Sequence, residues 1–169
     1  MELWDAYNAA GYPLGRDLVR GEAIPAGCHH VVAEVTVRHT DGSFLLMRRD
    51  ERKPAYPGRW ELTAGGSVLK GETWLDGARR ELREETGLCI PDLKSLFEHV
   101  TSDSIYIGYL AVYDGPKDAV TLQAGETVDY RWLPPRETLA FVRSPAGIPA
   151  QCARLLVYLH QVETEIAKK

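Results

Sequence analysis

The period of the hydrophobic positions changes several times along the chain, and each change marks an element. Residues 31–37 (VVAEVTV) are β-branched and nearly continuous in apolar character, which reads as a buried strand. His39-Thr40-Asp41-Gly42 carries the Asp-Gly hairpin signal, and 44–47 return as a second strand. A loop punctuated by Pro and Gly follows, RRDERKPAYPGR, with Arg48, Arg49, Arg52, Lys53 and Arg59 set against Asp50 and Glu51. Residues 60–64 predict a short strand that ends in Gly65-Gly66. The pattern then shifts to a helical period over 74–86. Strands are expected again at 95–100, 105–113 and 128–133, and the remainder reads as helix. Ile148, Cys152, Leu155, Leu156, Leu159, Val162 and Ile166 recur at spacings of three and four, one apolar stripe of a final helix whose first turn suits Pro149. Residues 3–7, a turn through Gly11 and 12–14 are expected to form an N-terminal hairpin, an extension (1–30) of the same domain on which the reading of the chemistry does not depend. The mixture predicts an α/β or α+β domain with helices layered on a sheet over 31–169.

The helix at 74–86 departs from what stability alone favours. At about 100° per residue, Leu75, Ala78 and Leu82 make its core face, while Glu81, Glu84 and Glu85 crowd an adjoining face in its last two turns. Like charges at these spacings each disfavour a helix by roughly 0.2–0.5 kcal/mol. Acids in the last turn oppose the macrodipole by roughly 0.3–1 kcal/mol each. Thr73 with Asp76 has capping-box spacing and Gly87 suits a left-handed cap, so the helix is bounded at both ends. By itself such a face reads equally as a solvated lattice of Arg–Glu pairs or as a divalent-metal site built from hard oxygen ligands.

The surroundings decide between them. Gly65-Gly66 closes a strand and Gly71-Glu72 opens the helix, so backbone near Gly66 can face the same point as the acids. From Gly66 to Leu88 the chain reads GSVLKGETWLDGARRELREETGL. This resembles the Nudix hydrolase signature, Gly-x5-Glu-x7-Arg-Glu-U-x-Glu-Glu-x-Gly-U with U a bulky aliphatic residue. Gly66, Glu72, Arg80, Glu81, Leu82, Glu84, Glu85, Gly87 and Leu88 match every defined position.

The resemblance implies an α/β/α sandwich around a mixed sheet and an enzyme that hydrolyses a nucleoside diphosphate linked to another group X. It implies Mg²⁺, with Mn²⁺ as a substitute, held by Glu81, Glu84 and Glu85 with a carbonyl at or beside Gly66. Glu72 and Arg80 would brace the loop against the helix. Family members differ in which carboxylate takes the proton of the attacking water. Some use a motif glutamate and others a distant loop acid, whose placement Glu126 in GETVDYRW resembles. Arg48 or Arg49 would contact phosphate, and Trp60 and Tyr56 would stack on a base. The leader and GCHHVV also resemble the subgroup related to isopentenyl-diphosphate isomerases. His30 stands where those enzymes place a metal-binding histidine. Ala64 replaces their protonating cysteine and Gly66 another histidine, which argues against isomerisation and leaves only Cys28 nearby. A non-catalytic nucleotide-binding module is a further alternative, disfavoured because all the motif acids are present.

Composition narrows the partners. A net charge of −4 over 169 residues gives no broad basic footprint for a stable nucleic-acid partner, so a small diphosphate or nucleotide is expected. No apolar run approaches membrane-spanning length. The start, MELWDAYNAAG, lacks a signal-peptide pattern, and Cys28, Cys89 and Cys152 show no zinc or CxxC spacing. These features predict a cytoplasmic protein with reduced thiols. A homodimer that uses the N-terminal piece is an option the sequence leaves open.

Overall fold

The computed structural model describes residues 1–168, the side chains of 165 and 166 excepted. The Ile166 position of the apolar stripe therefore lies outside the described residues. Strand β3 (His30–His39) is the axis of a seven-stranded mixed sheet. On one side it pairs along its whole length, in parallel, with β8 (Ser104–Tyr113), which in turn pairs antiparallel with the edge strand β7 (Leu93–Val100). Its other side is shared. β4 (Phe44–Arg49) joins β3 at Arg38↔Phe44, on the outgoing side of the Asp41-Gly42 turn, and then diverges. β6 (Thr63–Ser67) fills the space so opened, pairing Val32↔Ser67 through Thr36↔Thr63. The diverging β4 carries β5 (Trp60–Glu61) on one edge and β9 (Thr127–Leu133) on the other.

The single strand expected at 60–64 is thus two strands. Trp60 and Glu61 pair with β4, the chain switches partner at Leu62, and Thr63 onward pairs with β3. Gly65 and Gly66 lie inside β6, not after it. The reason is clearance: a Cβ on Gly65 would sit 2.1 Å from the Ala33 carbonyl oxygen, a contact that only glycine avoids.

Alternation along β4 distributes the core. Leu45 and Met47 pack with Val31, Val35, Ala64, Ile105 and the buried face of α1 (Trp74–Thr86), where Ala78 and Leu82 are fully buried. Phe44 and Leu46 point to the opposite face and pack with Leu139 and Phe141 of α2 (Pro135–Val142) and Leu155, Leu159 and Val162 of α3 (Pro149–Ala167). The result is helix, sheet, helix, the α/β/α sandwich. Leu75 is only half-buried. Leu156 is 38% exposed although it belongs to the periodic stripe, because Leu155 on the adjacent angle takes the inward position. Among the described residues, no helix is long and apolar enough to cross a membrane.

The N-terminal hairpin, β1 (Leu3–Tyr7) and β2 (Pro13–Val19), forms a separate two-stranded sheet. Trp4, Ala6, Leu18 and Cys28 make its small core, against which Ile24 and Leu69 pack. Both arms are pinned to the loop before α1. The Lys70 N–H donates to the Leu3 carbonyl at 2.9 Å, the Gly71 N–H to Asp5 Oδ2 at 2.7 Å, and Lys70 Nζ pairs with Asp17 at 2.6 Å.

Candidate active site

The loop 67–72 and helix α1 are held as one piece by Arg80. Its Nε and Nη2 donate to the two oxygens of Glu72 at 2.7 and 3.0 Å, and Nη2 also donates to the Ser67 carbonyl at 3.0 Å. Its Nη1 reaches Glu81 at 2.6 Å and Glu84 at 3.2 Å. Glu72 in turn accepts from the Leu69 N–H at 2.9 Å. These bidentate, charge-assisted bonds raise the Arg80 pKa further, Glu72 being the largest contributor. The ends of α1 are capped as its sequence requires. Thr73 Oγ1 accepts from the Asp76 N–H at 3.1 Å and donates to the Asp76 carboxylate at 2.6 Å. Gly87, at φ 72°, directs its N–H to the Arg83 carbonyl at 2.8 Å.

Glu84, Glu81 and Glu85 descend in that order from rim to floor of a cleft of about 420 Å³. Glu84 has 41% of its side chain exposed and Glu81 has 14%. Glu85 is buried on the floor, where its carboxylate accepts the Gly65 N–H at 3.1 Å. Burial, then the charges of Glu61 and Glu81, push the Glu85 carboxyl well above the usual carboxylate range. Burial also raises Glu81, opposed by its bond to Arg80. Gly66 faces this cluster: a Cβ there would lie 2.6 Å from the Glu81 carboxylate.

Glu126 joins the same cleft from the start of β9, forty-one residues after Glu85, and forms an ion pair with Lys53 of the β4–β5 loop. The Asp50 N–H holds its backbone by donating to the Glu126 carbonyl at 2.9 Å. The structure thus brings together Gly66, Arg80, Glu81, Glu84, Glu85 and Glu126, with Glu72 behind them.

The other expected contacts lie elsewhere. Arg48 is bonded to Gly58 O and Glu51, and Arg49 to Ala55 O and buried Glu61. The Trp60 ring is covered by the Arg131 guanidinium at 4.3 Å and packs on the α2–α3 core. Tyr56 is 46% exposed in the β4–β5 loop, at φ 52°. None of the four lines the cleft. Lys53, Gln123, Glu2 and Arg20 do. Lys53 stands in the basic loop but is indistinguishable there from its four neighbours. Glu2 and Arg20 carry no motif, and only the pairing of β1 with β2 brings them to the site.

The donor set suits a hard divalent cation. It is all carboxylate oxygen, the missing side chain at Gly66 lets the Glu81 carboxylate lie against the backbone, and a floor acid is buried beside like charges. As the side chains stand, no three acidic, His or Cys groups among the described residues converge as a finished cage, and Arg80 Nη1 lies between Glu81 and Glu84.

His30 is not in the cleft lining. Its ring stacks on Trp4 at 4.4 Å and its two nitrogens lie 2.9 Å from Ser104 Oγ and 3.3 Å from Ser67 Oγ. Ala64 is buried in the α1-side core and Cys28 in the hairpin core.

Known proteins share the sequence pattern and the fold. Residues 29–151 match the family profile of the NUDIX domain. The uncharacterized Nudix hydrolase lmo0368 of Listeria monocytogenes is 33% identical, over 88% of this chain and 89% of its own. Among solved structures, DR0079 from Deinococcus radiodurans superposes with a TM-score of 0.69 at 23% identity, over 86% of this chain and 91% of that one. The NUDIX domain of Shewanella oneidensis NrtR, complexed with ADP ribose, gives 0.59 at 19% identity over 82% and 88%. With the signature complete and its acids gathered on one cleft, the chain belongs to the Nudix hydrolases and is a hydrolase acting on diphosphate bonds.

Proposed function

We propose that the protein is a Mg²⁺-dependent hydrolase, with Mn²⁺ as a substitute, of a nucleoside diphosphate linked to X or a related small diphosphate. The observation that carries this reading is the convergence of Glu81, Glu84 and Glu85 from one helix with Glu126 from a distant loop. Glu81, Glu84 and Glu85 would hold the cation, beside the backbone at Gly66. When bound, Mg²⁺ supplies charge neutralisation at the phosphate oxygens and acidifies a water. The chain's own residues do the rest. Arg80 and Glu72 keep the loop and helix in register, and Lys53 holds Glu126 at the rim. Water attacks phosphorus, the bridging P–O bond breaks, and the water's proton passes to a carboxylate, Glu85 on the floor or Glu126 on the rim. The ADP ribose carried by the NrtR domain supports a nucleotide-like substrate.

The isomerase reading gains nothing from the geometry, because Ala64 has no proton to give and Cys28 is enclosed with Trp4, Ala6 and Leu18. All three cysteines are unpaired, which supports a cytoplasmic setting. The test is a hydrolysis screen over a panel of nucleotide and non-nucleotide diphosphates, with and without Mg²⁺, products identified. Cleavage of at least one compound at the diphosphate, abolished by EDTA, is expected. Saturable nucleotide binding without turnover would replace this reading with that of a binding module. Glu126→Gln on the best substrate separates the two candidate bases: turnover lost with Mg²⁺ binding retained assigns the rim acid, and turnover retained assigns Glu85.

A further inference from the structure

Three cations line the cleft: Arg80, Lys53 and Arg20. They are not equally available. Arg80 spends its donors on Glu72, Ser67, Glu81 and Glu84, and Lys53 is paired with Glu126. Arg20 is different. Among the described residues its guanidinium has one side-chain acceptor, Glu2, which Nη1 reaches at 2.8 Å, and the side chain is 65% exposed. A guanidinium has five N–H donors in a planar fork, so most of this one remains open to the cleft.

Its position is nevertheless prescribed. The Arg20 N–H donates to the Glu2 carbonyl at 3.0 Å, extending the β1–β2 pairing by a step beyond Leu3↔Val19. Glu2 is itself held by the Trp4 indole N–H at 2.9 Å. The hairpin that carries both is stitched to residues 70 and 71, at the entrance to α1. A cation on a pinned scaffold, across a cleft floored by acids that would hold a metal, is placed to take the part of an anionic substrate that those acids repel.

We propose that Arg20 is a substrate-binding residue whose guanidinium binds phosphoryl oxygens of the diphosphate, and that the N-terminal hairpin is a wall of the catalytic cleft. The inference rests on the diphosphate reading of the cleft. Glu2 competes with the substrate for the fork, since both offer anionic oxygens to the same donors.

That competition makes the test directional. Calorimetric titration of the full chain with methylenediphosphonate, which cannot be hydrolysed, is run in saturating Mg²⁺ on wild type, Arg20→Ala, Arg20→Lys and Glu2→Gln. Arg20→Ala weakens binding about tenfold or more, and Arg20→Lys recovers part of the loss, because an ammonium cannot reproduce a bidentate fork. Glu2→Gln removes the competing carboxylate and binds more tightly than wild type. On a hydrolysed substrate, Arg20→Ala raises KM about tenfold with kcat within about threefold.

Thermal melts verify that each variant is folded. If Arg20→Ala and Glu2→Gln weaken binding together, the pair only closes the hairpin and the inference is overturned. Wild-type affinity in Arg20→Ala, or no binding by wild type at millimolar probe, overturns it too. The two readings fail separately. Hydrolysis by wild type with an unchanged KM in Arg20→Ala removes the inference alone. Arg20-dependent binding without any turnover removes the hydrolase reading alone.

Discussion

Glu81, Glu84 and Glu85 share a helix face but not an environment, and their variants separate accordingly. Glu84 is half-exposed and its side-chain partner among the described residues is Arg80, at 3.2 Å. Glu84→Gln removes repulsion from Glu81 and Glu85 and an unfavourable dipole term, at the cost of that one pair. Its stability without divalent metal is expected to be unchanged or raised by up to about 1 kcal/mol. In excess Mg²⁺ it should fall below wild type, because a ligand is gone. Urea melts in EDTA and in Mg²⁺ check both signs, and a clear loss in EDTA would make the acids structural partners of the arginines. Glu85 predicts a pH effect. Its folded-state carboxyl lies above the ordinary value of 4.5, so between the two values the folded chain keeps a proton that the unfolded chain has released. The associated stability is present at low pH and is lost as pH rises through the raised value. Melting temperatures in EDTA from about pH 4 to 8 should show Glu85→Gln gaining on wild type as pH rises. Parallel curves would contradict it.

At the scale of the element, α1 was legible to the residue. Thr73, Asp76 and Gly87 are local signals, and they cap the helix whatever packs around it. Gly87 is the most constrained of them. A Cβ there would meet Thr121 Oγ1 at 2.1 Å, at a φ of 72° that L-residues disfavour. Gly87→Ala should cost about 1–2 kcal/mol from backbone strain alone, more if Thr121 cannot move, as read from urea melts. Elements whose limits depend on a distant partner were less legible. The break at Leu62 follows from β4 diverging from β3 beyond Arg38↔Phe44, which no window around residue 62 reveals. The same limit applies to side chains. The motif acids and Glu126 line one cleft, whereas Trp60, an aromatic beside a strand, is taken up by Arg131 and the α2–α3 core. Arg20 stood outside every pattern, because its place is set by hairpin pairing and by stitches to residues 70 and 71.

Across the whole molecule, the sheet sets the cleft where its paths separate. β4 leaves β3, β6 enters the gap with two glycines, and α1 lies over that junction while β9 and the β4–β5 loop bring Glu126 and Lys53. The hairpin closes the remaining side with Glu2 and Arg20. The fold therefore concentrates carboxylates against its own helical preference, with Arg80 offsetting part of the repulsion and a bound cation proposed to offset the rest. The direct measurement is phosphorus NMR of diphosphate cleavage in ¹⁸O-labelled water, by wild type and Glu85→Gln, with Mg²⁺ and with EDTA. The account predicts one ¹⁸O atom in a phosphoryl product from wild type in Mg²⁺, none in EDTA, and a rate reduced about a hundredfold or more in Glu85→Gln. Turnover at the wild-type rate in Glu85→Gln, or in EDTA, would contradict it.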